Sequence, residues 1–331
     1  MVVAPSNDRE RGMGMTDPKQ RHLMTRVASM YYEEEMTEQE IAHLLDVSRI
    51  RIVRLLKEAR QQGIVTINIK SEFKENVDIA RRLKSVLGLR EVIVVSAPYK
   101  PENLVDTLGK AAGEYVADKL IPNTIIGIAA GRTMKAMVDN MPERKIKGLV
   151  VCNIVGGLSA FGDQGAQELA FRMAARLGGM PHILNIPFRV DTPHIKETLL
   201  MDSKIKAAVD VAKRADVILL SVGSLEGQTL SEVYSDEEVY PPDLSQQLQE
   251  KRAVGEMIGR FFDIQGRRVL PELSEHLLGL DIEQFKEKPW VVVVAGGQEK
   301  VWPIIGAASG GYFNSLITDD KTAKAILEDR C

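Results

Sequence analysis

Nearly uninterrupted apolar runs are the feature that most restricts how this chain folds. Residues 124–129 read TIIGIA, residues 217–222 read VILLSV and residues 290–295 read WVVVVA. A strand with one solvent-facing side alternates apolar and polar residues, whereas a run of this kind is buried on both faces. Helical patterns separate the runs, so we predict an α/β fold in which helices cover a mostly parallel sheet.

The same alternation of strand and helix continues through most of the chain. Further strands are predicted at 92–95, 149–155, 182–186 and 316–318. Helices are predicted at 77–87, 103–120, 132–139, 164–177, 194–214, 301–310 and 320–327. A chain of 331 residues holds about two domains at ~150 residues each, and the α/β body is the larger one.

The first seventy residues have the pattern of three short helices. A first helix is expected over residues 20–34. Thr37 and Glu40 have the spacing of a capping box, which predicts that a second helix begins there. Ser48 is a favourable N-cap for a third helix that ends at Gly63. A short helix, a tight turn and a further helix make a helix-turn-helix, whose second helix enters the major groove of DNA.

The third helix is basic on one side and apolar on the other. Residues 48–62 contain five basic residues and one acidic residue, although the net charge of the chain is −3. At 100° per residue, Ile50 lies among the cations and outside the expected core. The alternative is an ordinary solvated helix face, which the capped short helix and the tight turn disfavour. The apolar arc consists of Ile52, Leu55, Leu56 and Ala59, and the candidate DNA-binding residues are Ser48, Arg49, Ile50, Arg51, Arg54 and Lys57.

Polar segments separate the expected domains. The N-terminal segment lacks the apolar stretch of a signal peptide and is expected to be a flexible tail. Residues 64–69 alternate like a short strand. The expected organisation is a tail at 1–15, a helix-turn-helix DNA-binding domain at 16–70, a linker at 71–76 and a ligand-binding and oligomerisation domain at 77–331.

Four predicted strands end in loops with glycine, at the edge where open α/β sheets bind ligands. Glycine lets the backbone approach a ligand, and a helix N-terminus attracts an anion. Each glycine alone is more often only a turn, so the expectation of a polar ligand depends on the four loops together. Glu256 and Lys300 lie in apolar surroundings and are candidates to complete the site. The loops are Gly131-Arg132-Thr133, Gly156-Gly157, Gly223-Ser224 and Gly296-Gly297.

The sequence contains no constellation that would assign a catalytic residue, a metal or a cofactor. Its five histidines lack the spacing of metal ligands. Neither a nucleophile elbow nor a Rossmann or Walker phosphate motif occurs. Two cysteines cannot form a disulfide framework, and no run of about 18 apolar residues is present. We therefore expect a cytoplasmic protein with no membrane partner.

The order of these motifs resembles the SorC family of bacterial sugar-binding transcriptional regulators, which is loosely grouped with the DeoR-type regulators. The resemblance covers nearly the whole chain from about residue 20. Its motifs are Val47-Ser48-Arg49, Gly131-Arg132-Thr133, Gly156-Gly157-Leu158, Gly255-Glu256, Ala295-Gly296-Gly297 with Lys300, and Leu316-Ile317-Thr318-Asp319-Asp320.

The resemblance implies a function and a role for each site residue. The body would be similar in fold to sugar-phosphate isomerases and deaminases, and would bind a phosphorylated sugar or polyol as an effector. Residues 131–133 would hold the phosphate, and Gly156 and Gly157 would border the sugar. Glu256 would accept hydrogen bonds from hydroxyl groups, and Lys300 would pair with the phosphate or another oxygen.

We therefore expect a transcriptional regulator of carbohydrate metabolism and not an enzyme. Its partners would be double-stranded operator DNA, a phosphorylated sugar effector and further copies of the chain in a homodimer or homotetramer. The alternative is a sugar-phosphate isomerase or deaminase with an accessory helical domain. That alternative leaves the helix-turn-helix unexplained.

Overall fold

A computed structural model of the chain describes residues 18–65, 72–157, 159–225 and 243–330. The expected tail at 1–15, residues 66–69 of the expected strand at 64–69, Leu158 and Cys331 lie outside this part. The chain divides into two compact units, residues 1–70 and residues 71–331.

The N-terminal unit packs three helices around one small core. The helices are α1 (Pro18–Tyr32), α2 (Glu38–Leu44) and α3 (Arg49–Gln61). The predicted caps are confirmed: Thr37 and Glu40 form a capping box, and the Ser48 hydroxyl accepts from the Arg51 N–H. The core contains Met24, Val27, Ile41, Ile52, Leu55, Leu56 and Ala59. Burial of the apolar arc of α3 leaves its basic arc in solvent.

The expected linker at 71–76 is wrong for residues 72–76, because helix α4 (Glu72–Leu87) begins at Glu72. The segment is polar, but it contains no glycine or proline, and glutamate and lysine favour helices. Its side chains also bond to the body. Glu75 pairs with Lys324 at 2.8 Å, and the Asn76 amide donates to the Ser96 hydroxyl at 3.1 Å. The segment thus belongs to the body and extends its first helix.

The body contains two sheets built from eleven strands in the described part of the chain. Seven parallel strands lie in the order β1-β11-β10-β5-β2-β3-β4, and four antiparallel strands lie in the order β6-β7-β8-β9. The strands are β1 (Glu91–Val95), β2 (Ile125–Ile128), β3 (Val150–Asn153), β4 (Met180–His182), β5 (Val217–Leu220), β6 (Gly223–Ser224), β7 (Ala253–Met257), β8 (Arg260–Asp263), β9 (Arg268–Val269), β10 (Trp290–Val294) and β11 (Ser315–Asp319).

Helices cover both faces of the parallel sheet, as the apolar runs predict. Val292 and Val294 of β10 face one buried apolar cluster, and Val291 and Val293 face the other. A strand that is apolar throughout can satisfy both clusters, which confirms the α/β prediction. The helices of the body are α4, α5 (Leu104–Lys119), α6 (Arg132–Asn140), α7 (Ala166–Leu177), α8 (Pro193–Met201), α9 (Ser203–Lys213), α10 (Leu244–Glu250), α11 (Val301–Ser309) and α12 (Asp320–Arg330).

The antiparallel sheet was not predicted from the sequence. Strands β7 and β8 are joined by a two-residue hairpin turn at Ile258 and Gly259, with φ of +48° and +82°. Such turns normally carry Asn-Gly or Gly-Gly, and isoleucine is rare at positive φ. The usual hairpin signal is therefore missing from this stretch.

Strand β4 also differs from its prediction at 182–186. The Asn153 side chain donates to the Leu184 carbonyl at 2.9 Å and accepts from the Leu184 N–H at 2.8 Å. Because a buried side chain binds this backbone, the strand ladder ends at His182.

Candidate functional sites

The exposed face of α3 carries the predicted DNA-binding residues. Ile50 is 82% exposed, and Arg51, Arg54 and Lys57 are also exposed. The face therefore combines a projecting apolar side chain with several cations. Such a surface suits a polyanion with apolar groups between its charges.

Ion pairs divide the cations of α3 into two groups. Arg49 pairs with Glu38 of α2 at 2.9 Å, and Arg54 pairs with Glu58 one turn along at 2.8 Å. Arg51 and Lys57 make no ion pair with other described residues. Exposed pairs of this kind are worth about 0.2–1 kcal/mol, so a polyanion can displace them.

Arg60 differs from the other cations of α3. Its guanidinium donates to the Tyr32 hydroxyl of α1 at 2.6 and 2.9 Å. It therefore ties α3 to α1, and we assign it to the packing of the unit rather than to the exposed face.

A cavity of about 260 Å³ lies at the carboxyl ends of the central parallel strands. Ala129 and Ala130 follow β2, Ser221 and Val222 follow β5, and Ala295 follows β10. Ligands of open α/β sheets bind at this edge. Apolar walls come from Val105, Leu108, Phe188 and Ile258, and polar groups come from Arg132, Thr133, Gln164, Ser224, Glu256, Glu299 and Lys300.

The loop Gly131-Arg132-Thr133 begins α6 at the wall of this cavity. Gly131 has φ +126° and ψ 163°, a conformation open essentially to glycine alone. Its N–H donates to the Gln164 carbonyl at 2.9 Å, which fixes the loop. Among the described residues, no side chain caps α6. The first-turn N–H groups of α6 thus offer donors for an anion.

Glu256 reaches the cavity from β7 in the antiparallel sheet. Its Oε2 accepts from the Gly259 N–H at 2.8 Å, so the carboxylate is oriented by its own hairpin. Gly223 lies opposite in β6, where a Cβ would approach Glu256 Oε1 to 2.1 Å. Glycine at 223 is therefore needed for this position of the carboxylate.

Lys300 lines the cavity at the end of the 3₁₀ turn Gln298–Lys300. Burial lowers the pKa of its ammonium group, and the charge of Arg132 lowers it further. Glu256 and Glu299 act in the opposite direction, but they do not restore the pKa to its ordinary value. Lys300 makes no ion pair within 4.0 Å among the residues that the structure covers. A desolvated cation without a close counter-ion is suited to binding an anionic ligand.

Asp319 supports the loop that presents Lys300, a role that the sequence did not predict. The buried Asp319 carboxylate accepts from the Lys321 and Thr322 N–H groups at 3.0 Å, at the start of α12. It also accepts from the Gly297 N–H at 3.3 Å, and the Thr322 hydroxyl accepts from the same N–H at 2.8 Å. The signal was present in the motif Leu316–Asp320, but sequence reasoning gave it no role.

Gly156 and Gly157 are not among the residues that line the cavity. They pack against the segment 186–188: the Gly157 N–H donates to the Ile186 carbonyl and the Phe188 N–H donates to the Gly157 carbonyl, both at 2.8 Å. A Cβ on Gly156 would lie 2.0 Å from the Pro187 carbonyl oxygen. In the structure they hold the backbone of Phe188, which does line the cavity, and a direct contact of either glycine with the sugar stays a prediction.

Cys152 is buried in β3, where burial raises the pKa of its thiol to about 12. Among the described residues, no group of three or more histidine, cysteine or acidic side chains has the geometry to hold a metal ion. No helix in the same part of the chain is both long and apolar enough to cross a membrane.

Comparison with known proteins places this architecture in a family. The family described as "Putative sugar-binding domain" matches residues 71–328. The sorbitol operon regulator of Klebsiella pneumoniae is 32% identical over 314 residues, which cover 92% of this chain and 98% of that protein. The deoxyribonucleoside regulator of Bacillus subtilis (strain 168) is 29% identical over 319 residues, or 95% of this chain and 99% of that protein.

A solved structure of one of these regulators is also similar to this chain. The full-length sorbitol operon regulator SorC from Klebsiella pneumoniae superposes with a TM-score of 0.70 at 31% identity, covering 93% of this chain and 99% of that chain. A helix-turn-helix unit joined to a sugar-binding domain defines a class of transcriptional regulators rather than enzymes. The chain belongs to the SorC family of bacterial sugar-binding transcriptional regulators.

Proposed function

We propose that this regulator binds operator DNA through α3 and that a phosphorylated sugar or polyol in the cavity of the body modulates that binding. One observation carries the proposal: Arg132, Lys300 and the N-terminus of α6 line the same cavity, and no described side chain caps that N-terminus. These groups suit a phosphate, and the Glu256 carboxylate in the same cavity suits hydroxyl groups.

The effector is assigned by complementarity to the walls of the cavity. The phosphate lies at Gly131, Arg132 and Thr133, and Lys300 pairs with it or with a neighbouring oxygen. Glu256 accepts from sugar hydroxyls. A volume of about 260 Å³ is in keeping with a small phosphorylated sugar or polyol.

The DNA contacts are assigned to the exposed face of α3: Ser48, Arg49, Ile50, Arg51, Arg54 and Lys57. The relatives named above are a sorbitol operon regulator and a deoxyribonucleoside regulator. An operon for the use of a carbohydrate is accordingly the proposed target. The active form is a homodimer or homotetramer in the cytoplasm, since paired recognition helices reach half-sites one turn of DNA apart, roughly 34–36 Å.

The proposal is tested in two steps with the full-length chain. A thermal-shift screen of phosphorylated sugars and polyols identifies a ligand, because a ligand that binds only the native state raises the unfolding temperature. A gel shift with the DNA upstream of the regulator's own gene then measures operator binding with and without that ligand. A stabilising phosphosugar that changes operator affinity supports the proposal, and operator binding that no phosphosugar alters contradicts the effector assignment.

A further inference from the structure

The N-terminal end of α3 carries an apolar surface that phosphate contacts do not explain. Ile50 is 82% exposed and Val53 is 45% exposed. Residues three apart lie on the same side of a helix, so the two β-branched side chains form one patch. The folded chain forgoes the stabilisation that burial of these side chains would give.

Charges surround this patch closely. Arg51 and Arg54 follow its two members in the sequence, and both are exposed. Arg49 precedes Ile50 and is held by Glu38. An apolar patch set among cations is complementary to a polyanion that exposes apolar groups between its phosphates, and it is poorly suited to a membrane interior or an apolar protein surface.

The position of the patch along the helix indicates which chemical group of the partner it would contact. Ser48 caps α3, so Ile50 is the second residue of the helix. The N-terminal residues of a recognition helix are the ones that contact base edges in the major groove. There the apolar group of a normal base pair is the C5-methyl of thymine, and 5-methylcytosine carries the same group.

We propose that Ile50 and Val53 read C5-methyl groups of pyrimidines in the operator, so that part of its sequence specificity is recognition of a methyl group. This inference rests on the proposed function, since it requires α3 to enter the major groove. It goes beyond that function by naming the chemical group that the helix distinguishes.

The experiment uses the full-length protein and a duplex selected from a random pool by its affinity for that protein. The selected duplex is made with thymine and again with uracil, which removes only the methyl groups. The wild-type chain should bind the uracil duplex about fourfold more weakly for each contacted methyl, the ratio that corresponds to burial of one methyl group. Single thymine-to-uracil changes then locate the contacted positions.

Single variants then show which side chains cause the preference for thymine over uracil. In Ile50→Ala the preference for thymine should fall by the larger part, in Val53→Ala by the smaller part, and in the double variant it should fall to near onefold. Lys57→Ala is the matched control, because loss of a phosphate contact weakens both duplexes equally and leaves the ratio unchanged. Replacing a contacted thymine by 5-methylcytosine should retain more affinity than replacing it by cytosine, which separates the methyl group from the other features of the base.

Two results would overturn the inference: equal wild-type affinity for both duplexes, or a thymine preference in Ile50→Ala that equals that of the wild type. A change in oligomeric state in Ile50→Ala without a change in that preference would also overturn it, since the patch would then contact a second copy of the chain. If the proposed DNA binding itself were wrong, no sequence would be enriched from the random pool, so this result differs from a failure of the methyl-group inference alone.

Discussion

The two proposed sites both lie at helix N-termini, but only the site in the body contains a half-buried cation, Lys300. At α3 the Arg54 side chain is 80% exposed and its ion pair is on the surface. In the body, Lys300 lies in a cavity where burial lowers its pKa. Exposed charges are screened by salt and contribute little individually. The comparison therefore predicts that DNA binding is a sum of small, salt-sensitive contacts, whereas effector binding depends steeply on single residues.

The largest effect is expected from packing in the body. Gly156→Ala should lower the free energy of unfolding by about 3 kcal/mol, because the new Cβ would meet the Pro187 carbonyl oxygen at 2.0 Å. Urea unfolding measures this loss. Gly311→Ala is the control, since Gly311 has φ +70° and open space around it, and only backbone strain of roughly 1–2 kcal/mol is expected. Equal losses in the two variants would contradict the packing described for Gly156.

The next effect concerns Lys300, the half-buried cation of the cavity. Lys300→Met should weaken the proposed effector about 100-fold, since loss of one partner of a buried charged contact costs roughly 3 kcal/mol. Operator affinity without effector should stay at the wild-type value. Calorimetric titration with the effector and a gel shift measure the two quantities. Lys321→Met, at an exposed lysine of α12, should change neither, and a loss of operator affinity in Lys300→Met would instead give Lys300 a role in structure or assembly.

A smaller effect is expected at the exposed site. Arg54→Ala should weaken operator binding about tenfold and reduce the slope of log affinity against log salt by about 1, provided that Arg54 neutralises one phosphate. Gel shifts at several salt concentrations measure both. Arg60→Ala is matched in helix and charge, but Arg60 bonds to Tyr32, so its salt slope should stay at the wild-type value. An unchanged slope in Arg54→Ala would remove Arg54 from the interface.

The smallest effect is a dependence of stability on pH. Because the pKa of Lys300 is lower in the folded chain than in the unfolded chain, the folded chain binds fewer protons between the two values, and its stability rises with pH across that window. At neutral pH the buried ammonium group destabilises the effector-free protein, so Lys300→Met should be more stable by about 1 kcal/mol. This difference should shrink as the pH approaches about 10. A variant that is less stable than the wild type at neutral pH would contradict the cost assigned to burial of Lys300.

Most of the fold was predictable because the local sequence patterns and the pattern of burial favour the same helices and strands. The capping box of Thr37 and Glu40, the N-cap Ser48 and the apolar arc of α3 are local features, and the structure has them as predicted. The strands of the parallel sheet were found because burial on both faces requires apolar residues throughout. By contrast, the β7–β8 hairpin turns through Ile258 at positive φ, which no local rule favours.

The candidate site was predictable in its residue types but less so in its geometry. The structure brings Gly131, Arg132, Thr133, Glu256 and Lys300 to one cavity. Gly156 and Gly157 end a neighbouring strand, yet they serve to hold the backbone of segment 186–188. A glycine that admits a ligand and a glycine that admits another backbone segment give the same sequence signal. The tertiary contact that separates the two cases is absent from the sequence pattern.

The coupling of the two sites is the central claim, and one measurement tests it directly. Operator affinity of the full-length chain is titrated by gel shift against the phosphorylated sugar that the thermal-shift screen identifies, in the wild type and in Lys300→Met. If the two sites are coupled, the effector should change wild-type operator affinity by about five- to 150-fold, the usual range of allosteric coupling, and should leave the operator affinity of Lys300→Met unchanged. A wild-type operator affinity that stays constant at saturating effector, or an equal response in Lys300→Met, would contradict it.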